Sequence, residues 1–174
     1  MKTPPYSTFP TLSNEKILLR SIRSADMNDL LEISYYDAVK ATTVETAIEM
    51  QDKIDQDYIN GNSIHWGIAD KITNQILGTC GYYQGFENEG GELGCVLLSH
   101  SKGKGYMTQA LSLASDFGIK EMGLKRIWAI TDRDNHPAVK LLERLNFKKI
   151  SNPKLQDHEV EFELMSVNLM KASV

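Results

Sequence analysis

The strongest constraint on this chain lies in one passage from strand to helix. An apolar run, Leu93-Gly94-Cys95-Val96-Leu97-Leu98, leads into Lys102-Gly103-Lys104-Gly105-Tyr106-Met107-Thr108. A helical pattern follows, in which Met107, Ala110, Leu111, Ala114 and Phe117 share a face. A strand that turns through two glycines into a helix leaves several backbone N–H groups in one concave patch. With the positive end of the helix dipole, that patch is a cradle for phosphate. Gly103 and Gly105 let the backbone approach an anion without Cβ obstruction, and Lys102 and Lys104 add charge. The same residues also read as a tight turn with solvated lysines. The passage narrows the ligand as well. A dinucleotide fingerprint needs a third glycine where Thr108 stands, and a P-loop needs four residues between its glycines, then Lys-Ser/Thr. Neither fits.

Around this passage the hydrophobic periodicity predicts an interleaved α/β order. Strands are expected at residues 16–22, 64–70, 75–83, 92–98, 126–131, 147–150 and 160–169. Ser24 is placed to cap a first helix with Met27, Leu30 and Leu31 on one face. Thr43 is placed to cap a second, with Val44, Ala47, Ile48 and Ile54 along one side, stopped by Asn60-Gly61. Asn135 before Pro137 reads as the start of a last helix, whose face is Ala138, Leu141, Leu142 and Leu145. Residues 1–13 are expected to form a loose Pro-containing arm and residues 14–174 a single domain. The length suffices for one buried core.

A formal net charge of −4 argues against nucleic acid as the main partner. No apolar run approaches the ~20 residues of a membrane span, and no secretory leader is visible, so a cytoplasmic protein is expected. Cys80 and Cys95 lie in strand-like runs and are expected as buried free thiols, with Cys95 a remote candidate acyl acceptor. His65, His100, His136 and His158 show no ligand spacing and are expected at the surface. No metal site is expected. Trp66 and Trp128 are expected in the core.

Two blocks, in the right order, resemble the GCN5-related N-acetyltransferases (GNAT). In that family an Arg/Gln-x-x-Gly-x-Gly/Ala turn holds the pyrophosphate of acetyl-coenzyme A, and the corresponding stretch here is Lys102-Gly103-Lys104-Gly105-Tyr106-Met107. The longer string from Gly103 to Ala110 is similar to the G-x-G-Y-(A/M)-T-E-A of the branch that acetylates ribosomal-protein N-termini. The block from Asn135 to Phe147 resembles that branch's N-x-x-S-x-x-(V/L)-L-E-K-L-G-F, with Asn146 in place of glycine. The resemblance covers residues 14–169. It implies a mixed, mostly antiparallel sheet flanked by helices, with the fourth and fifth strands splayed apart. It further implies acetyl-CoA as co-substrate, held by Lys102, Gly103, Lys104, Gly105, Tyr106, Met107 and Thr108 at its pyrophosphate. Backbone groups of Val96, Leu97 and Leu98 and the side chain of Asn135 would hold its pantetheine, with Ala138 and Leu142 near its sulfur.

Acetyl transfer to an amine requires a neutral nucleophile and hence a base. Glu92, opening the strand before the turn, is the candidate, and a solvated acid at a strand end is its other reading. The resemblance has gaps. Leu142 stands where many members carry a tyrosine, and Ala138 where the ribosomal branch often has serine, so neither position supplies a proton to the departing thiolate. Lys102 keeps a charge but loses the bidentate geometry of arginine. The acceptor groove is implied between the loop Ser34-Tyr35-Tyr36-Asp37 with Lys40-Ala41-Thr42 and the loop Ser151 to Glu159. The expected partner is an amine-bearing protein, peptide or small molecule, on a monomer or homodimer. The resemblance favours a protein or peptide α-amino group. The alternatives are a small-amine acetyltransferase, a non-catalytic acyl-CoA-binding module, or an unrelated phosphate-ligand protein.

Overall fold

The computed structural model describes residues 1–165. Seven strands carry the sheet: β1 (Ile17–Arg20), β2 (Ile64–Asp70), β3 (Ile76–Tyr82), β4 (Gly90–Leu97), β5 (Arg126–Asp132), β6 (Lys148–Ile150) and β7 (Glu159–Met165). A two-residue strand at Leu12–Ser13 pairs outside β1, and the spatial order continues β1-β2-β3-β4-β5-β7-β6. Neighbours are antiparallel except β4 and β5, which are parallel. The last four residues of the strand expected at 160–169 lie outside the described residues. Among the described residues four helices flank the sheet: α1 (Met27–Leu30), lengthened at both ends by 3-10 turns, α2 (Val44–Ile59), α3 (Tyr106–Phe117) and α4 (His136–Arg144).

The sheet is covered on both faces, and the side-chain period of two decides what each face receives. On one face Ile64, Trp66 and Tyr82 join Ala110, Ala114 and Phe117 of α3 and Leu141 and Leu142 of α4 in the main core. Trp66 meets Phe117 edge-on, with centroids 5.6 Å apart. A smaller core on the other face joins Met27 and Leu30 of α1 and Ala47 of α2 to Ile76 and Leu98. β3 is buried along its whole length, with Leu77, Cys80 and Tyr82 in the main core and Ile76 in the smaller one.

Several local readings change. The segment expected as a loose arm is docked on the body. Tyr6 N–H donates to the Tyr58 hydroxyl (2.9 Å), Pro10 O accepts from Trp66 Nε1 (2.8 Å), and Phe9 packs between the rings of Tyr58 and Trp66. Aromatic area outweighs the proline-rich composition there. Ser24 does not cap α1. The Asp26 carboxylate receives the Arg23 N–H (2.8 Å) and pairs with buried Arg20 at 2.7 and 2.9 Å. Thr43 caps α2 as expected, exchanging bonds with Thr46. Ile48 is exposed, because the buried side of α2 turns through Ala47 instead. Residues Tyr35–Tyr36 pair with Val39–Lys40 as a tight hairpin whose two turn residues, Asp37 and Ala38, have φ of 50° and 60°. Asn146 adopts φ 66° after α4, the left-handed stop that its sequence position implied.

One feature of the sheet positions the site. β4 and β5 pair only at Gly90–Arg126, Gly91–Ile127 and Glu92–Trp128, then diverge, although they continue to Leu97 and Asp132. The expected splay is present.

Candidate active site

The turn before α3 is built as the sequence implied. Gly103 and Gly105 have φ of 75° and 79°, the left-handed region that favours glycine, and a Cβ on either would meet nothing within 4 Å. Residues 102–105 are exposed. The first helical bond runs from Gln109 N–H to Gly105 O (3.3 Å), and the N–H groups of residues 103–108 have no acceptor among the described residues. Six consecutive backbone donors are thus left open at and before a helix N-terminus, beside Lys102 and Lys104.

The β4 edge that faces the gap can be assigned residue by residue. Tyr83 N–H donates to Glu92 O (3.0 Å) and Leu98 N–H to Leu77 O (2.9 Å), so these β4 groups point at β3. The two-residue alternation of an antiparallel ladder turns Gly94 and Val96 the same way and leaves the backbone groups of Cys95 and Leu97 toward the gap. Of Val96, Leu97 and Leu98, only Leu97 therefore offers its backbone there. Val96, 45% exposed, instead presents its side chain to the face covered by α1 and α2.

At the narrow end of the gap stands Glu92, half-buried. Its Oε2 accepts from Gln84 Nε2 (2.6 Å) and Trp128 Nε1 (3.3 Å), while Oε1 has no partner among the described residues. The Trp128 ring is not core, correcting the sequence-based expectation. It floors a groove with Glu92, and the Arg126 guanidinium lies 4.5 Å over it. Arg126 in turn pairs with Glu163 (2.6 Å) and with buried Glu161, whose second oxygen accepts from Asn152 Nδ2 (2.5 Å). The opposed charges of Glu161 and Glu163 raise the already high pKa of Arg126, against the effect of its partial burial.

Asn135 caps α4, its Oδ1 accepting from Ala138 N–H (3.3 Å); its amide nitrogen is not used in that bond. Ala138 is half-buried near the helix start, and Leu142 is buried in the main core. Cys80 and Cys95 face each other across β3 and β4 as free thiols. The contact with Cys80, together with burial, pushes the Cys95 thiol up and keeps it protonated, which disfavours it as an acyl acceptor.

On the same face as Glu92, a separate cavity of about 280 Å³ lies between α1, α2 and the sheet. Ile33, Met50, Ile54 and Val96 wall it, and His65 and Thr79 reach it from the strands. His65 is thus turned toward the cavity and half-buried, not at the surface as expected from the sequence. Its Nδ1 is shut off from solvent without a partner among the described residues, and burial pulls its pKa down to about 4. Tyr35, from the hairpin, stands at the rim, 50% exposed; Tyr36 instead bonds Asp57 of α2 (3.2 Å).

An acetyltransferase (GNAT) domain model matches residues 16–148. The N-acetyltransferase p20 of Bacillus licheniformis, itself uncharacterized, is 30% identical over 147 residues, 80% of this chain and 83% of that protein. The chain belongs to the GNAT family. Solved structures share the fold. A ribosomal alpha-N-protein acetyltransferase, RimL, in complex with coenzyme A, superposes with a TM-score of 0.77 at 14% identity, covering 90% of this chain and 98% of its own. The spermidine/spermine N-acetyltransferase SpeG from Vibrio cholerae gives 0.73 at 15% identity, covering 92% and 100%.

Acetyl-CoA is the acyl donor of this family, and the acetyltransferase has the groups to hold it. Its turn presents six unpaired N–H groups, two glycines with open space where a side chain would stand, and two lysines. Sequence reasoning missed His65, Tyr83, Gln84 and the groove-side placement of Trp128. One signal was available for His65. Once Ile64 and Trp66 are core, strand alternation puts His65 on the opposite face. For the partners of Glu92 there was none, because Trp128 lies 36 residues away on another strand. Among the described residues no helix is long and apolar enough to cross a membrane.

Proposed function

We propose that this acetyltransferase acetylates the α-amino group of a peptide or protein, with Glu92 as the general base. Supporting this reading above all is the position of Glu92: a carboxylate with one free oxygen, at the mouth of the only parallel seam among the described strands, beside an unpaired strand edge. Acetyl-CoA supplies the activated acyl carbon when bound. The turn at residues 103–108 holds its phosphates through backbone donors. The exposed edge at Cys95 and Leu97 holds the pantetheine arm, and an N–H there stabilises charge developing on the carbonyl oxygen.

Glu92 takes the proton that the amine must shed, directly or through one water. Gln84 and Trp128 fix its Oε2 and leave Oε1 for that task. An α-amino group, with a pKa near 7.7–8.0, needs only modest help at neutral pH, whereas a lysine side chain near 10.4 needs more. Neither Ala138 nor buried Leu142 carries a proton, so water protonates the leaving thiolate. The unused Asn135 amide nitrogen is free to donate to the cofactor's amide.

The test is thiol release from acetyl-CoA over a panel of peptides and small amines. Glu92→Gln should lower kcat by roughly 10²- to 10⁴-fold with acetyl-CoA affinity unchanged. An unchanged kcat would remove Glu92 from the role. Binding of acetyl-CoA with no thiol release from any amine would mark a binding module.

A further inference from the structure

Two hollows share the acceptor face, and their linings differ in kind. The groove at Glu92 is charged, with Glu87, Glu161, Arg126 and Lys154 around it. The 280 Å³ cavity between α1, α2 and the sheet has no Asp, Glu, Lys or Arg in its lining. Tyr83 lines the cavity and Gln84, the next residue, lines the groove. The Tyr83 ring lies over Gly94, where a Cβ would come within 2.5 Å of it. Val96 and Glu92 project from the same face of β4 four residues apart, about 13 Å along the strand, with Gly94 between them. The two hollows are therefore adjacent on one face of the sheet, divided by a tyrosine edge.

We infer that the cavity is the specificity pocket for the residue bearing the acceptor amine, and that it selects an uncharged, apolar side chain. The inference rests on the amine-acetylation reading above and names the substrate class for that site. A cavity of roughly 150 Å³ holds a benzene ring, so 280 Å³ receives a leucine, methionine or phenylalanine side chain with space to spare. A second cationic group is excluded, because the lining has no carboxylate to pair with it and an unpaired buried charge is costly. That separates this pocket from one built for polyamines. His65 supplies the polar element. Neither ring nitrogen is bonded among the described residues, and Nδ1 is sealed from solvent. A neutral imidazole on the wall of an apolar pocket orients a ligand without attracting cations.

The measurement is kcat/KM for leucinamide, phenylalaninamide, glycinamide, lysinamide and spermidine at saturating acetyl-CoA. The His65 ring resonances are followed in parallel by NMR as leucinamide or glycinamide is added. Leucinamide and phenylalaninamide should exceed glycinamide by about tenfold to a hundredfold. Lysinamide should fall below leucinamide by a similar factor, and only the apolar amides should move His65. Ile54→Trp, which fills the pocket from half-buried α2, should erase the advantage of leucinamide over glycinamide. Gln51→Glu, which adds a carboxylate to the lining and gives up the Gln51 Nε2–Asp55 bond (2.8 Å), should raise lysinamide relative to leucinamide; this variant decides the matter if Ile54→Trp is poorly folded. Equal rates for all the amides, or a preference for spermidine that Gln51→Glu does not change, overturns the inference. Movement of His65 by leucinamide without thiol release upholds the pocket and overturns the acetylation reading instead.

Discussion

The turn proposed for the cofactor, which follows β4, and the face proposed for the acceptor, which β4 helps to line, are made of different material. The turn at residues 102–108 works through backbone, with six N–H groups and two left-handed glycines contiguous in the chain. The acceptor face works through side chains drawn from β2, β3, β4, β5 and two helices, and its key polar groups are 8 to 36 residues apart in sequence. Backbone recognition tolerates replacement of nearly every neighbouring side chain except at the glycines. Side-chain recognition transmits each replacement to its partners. The two regions should therefore respond to mutation in opposite patterns.

The largest expected effect comes from putting a side chain where the turn has none. Gly105→Glu adds a carboxylate to open space at a left-handed position. It should weaken acetyl-CoA binding by roughly 100-fold or more by calorimetry, through like-charge repulsion. Circular dichroism should show the fold retained, since nothing lies within 4 Å of the new Cβ. Gly105→Asn, which tolerates that conformation, should keep most of the affinity. If Gly105→Glu binds normally, the turn is not the phosphate cradle.

Next in size is the support of the acceptor face. Burial works against the Asp26 carboxylate, but hydrogen bonds from Arg20 and Arg23, and their charges, outweigh it and hold the pKa below the ordinary value. A depressed folded pKa gives stability that is complete above the unfolded value near 3.9 and is lost as pH falls through the folded one. Asp26→Ala leaves buried Arg20 uncompensated and should cost about 3–5 kcal/mol in urea unfolding at pH 7. The difference from wild type should narrow as pH falls below about 3.9, the unfolded value. A cost at pH 7 below about 1 kcal/mol would show that the pair does not anchor α1.

The lysines test the backbone claim from its other side. Lys102→Ala with Lys104→Ala should weaken acetyl-CoA by no more than about tenfold, with a reduced salt dependence, because exposed charges act through a screened field. A loss matching that of Gly105→Glu would make the turn a side-chain site after all. The smallest effect concerns His65. Burial holds its pKa at about 4, against 6.5 when unfolded, so protonation favours unfolding. Wild-type stability should be flat above pH 6.5 and decline from there to about pH 4, and His65→Gln should flatten that decline. An unaltered slope would mean that the ring is solvated in the folded state.

The same contrast explains what was legible in the sequence. The turn, the left-handed Asn146 and the Thr43 cap are local, and each could be read from a few consecutive residues. The order of strands and the splay at β4 and β5 followed from the resemblance that those local blocks carried. The docked arm was not legible, because Tyr6, Phe9 and Pro10 find Tyr58 and Trp66 only once the chain has folded. Nor was the cap at Asp26, whose arginine partner lies on a strand six residues earlier. The acceptor side was named by its loops, but the hairpin strain at Asp37 and Ala38 and the inward turn of His65 belong to the assembled tertiary structure.

The brief parallel seam has a consequence for how the molecule breathes. Three residue pairs join β4 to β5, against five between β3 and β4 and seven between β5 and β7. Cys95 and Leu97 lie within a strand, yet on the gap side their amides have no neighbour to hold them. In hydrogen-exchange terms they are loop-like positions set inside a sheet, bordered by slow-exchanging ones. Any ligand that lays an extended chain into the seam converts two half-sheets into one continuous ladder and raises the melting temperature by mass action. Occupancy can then be read from the exchange of two amides, with no turnover at all.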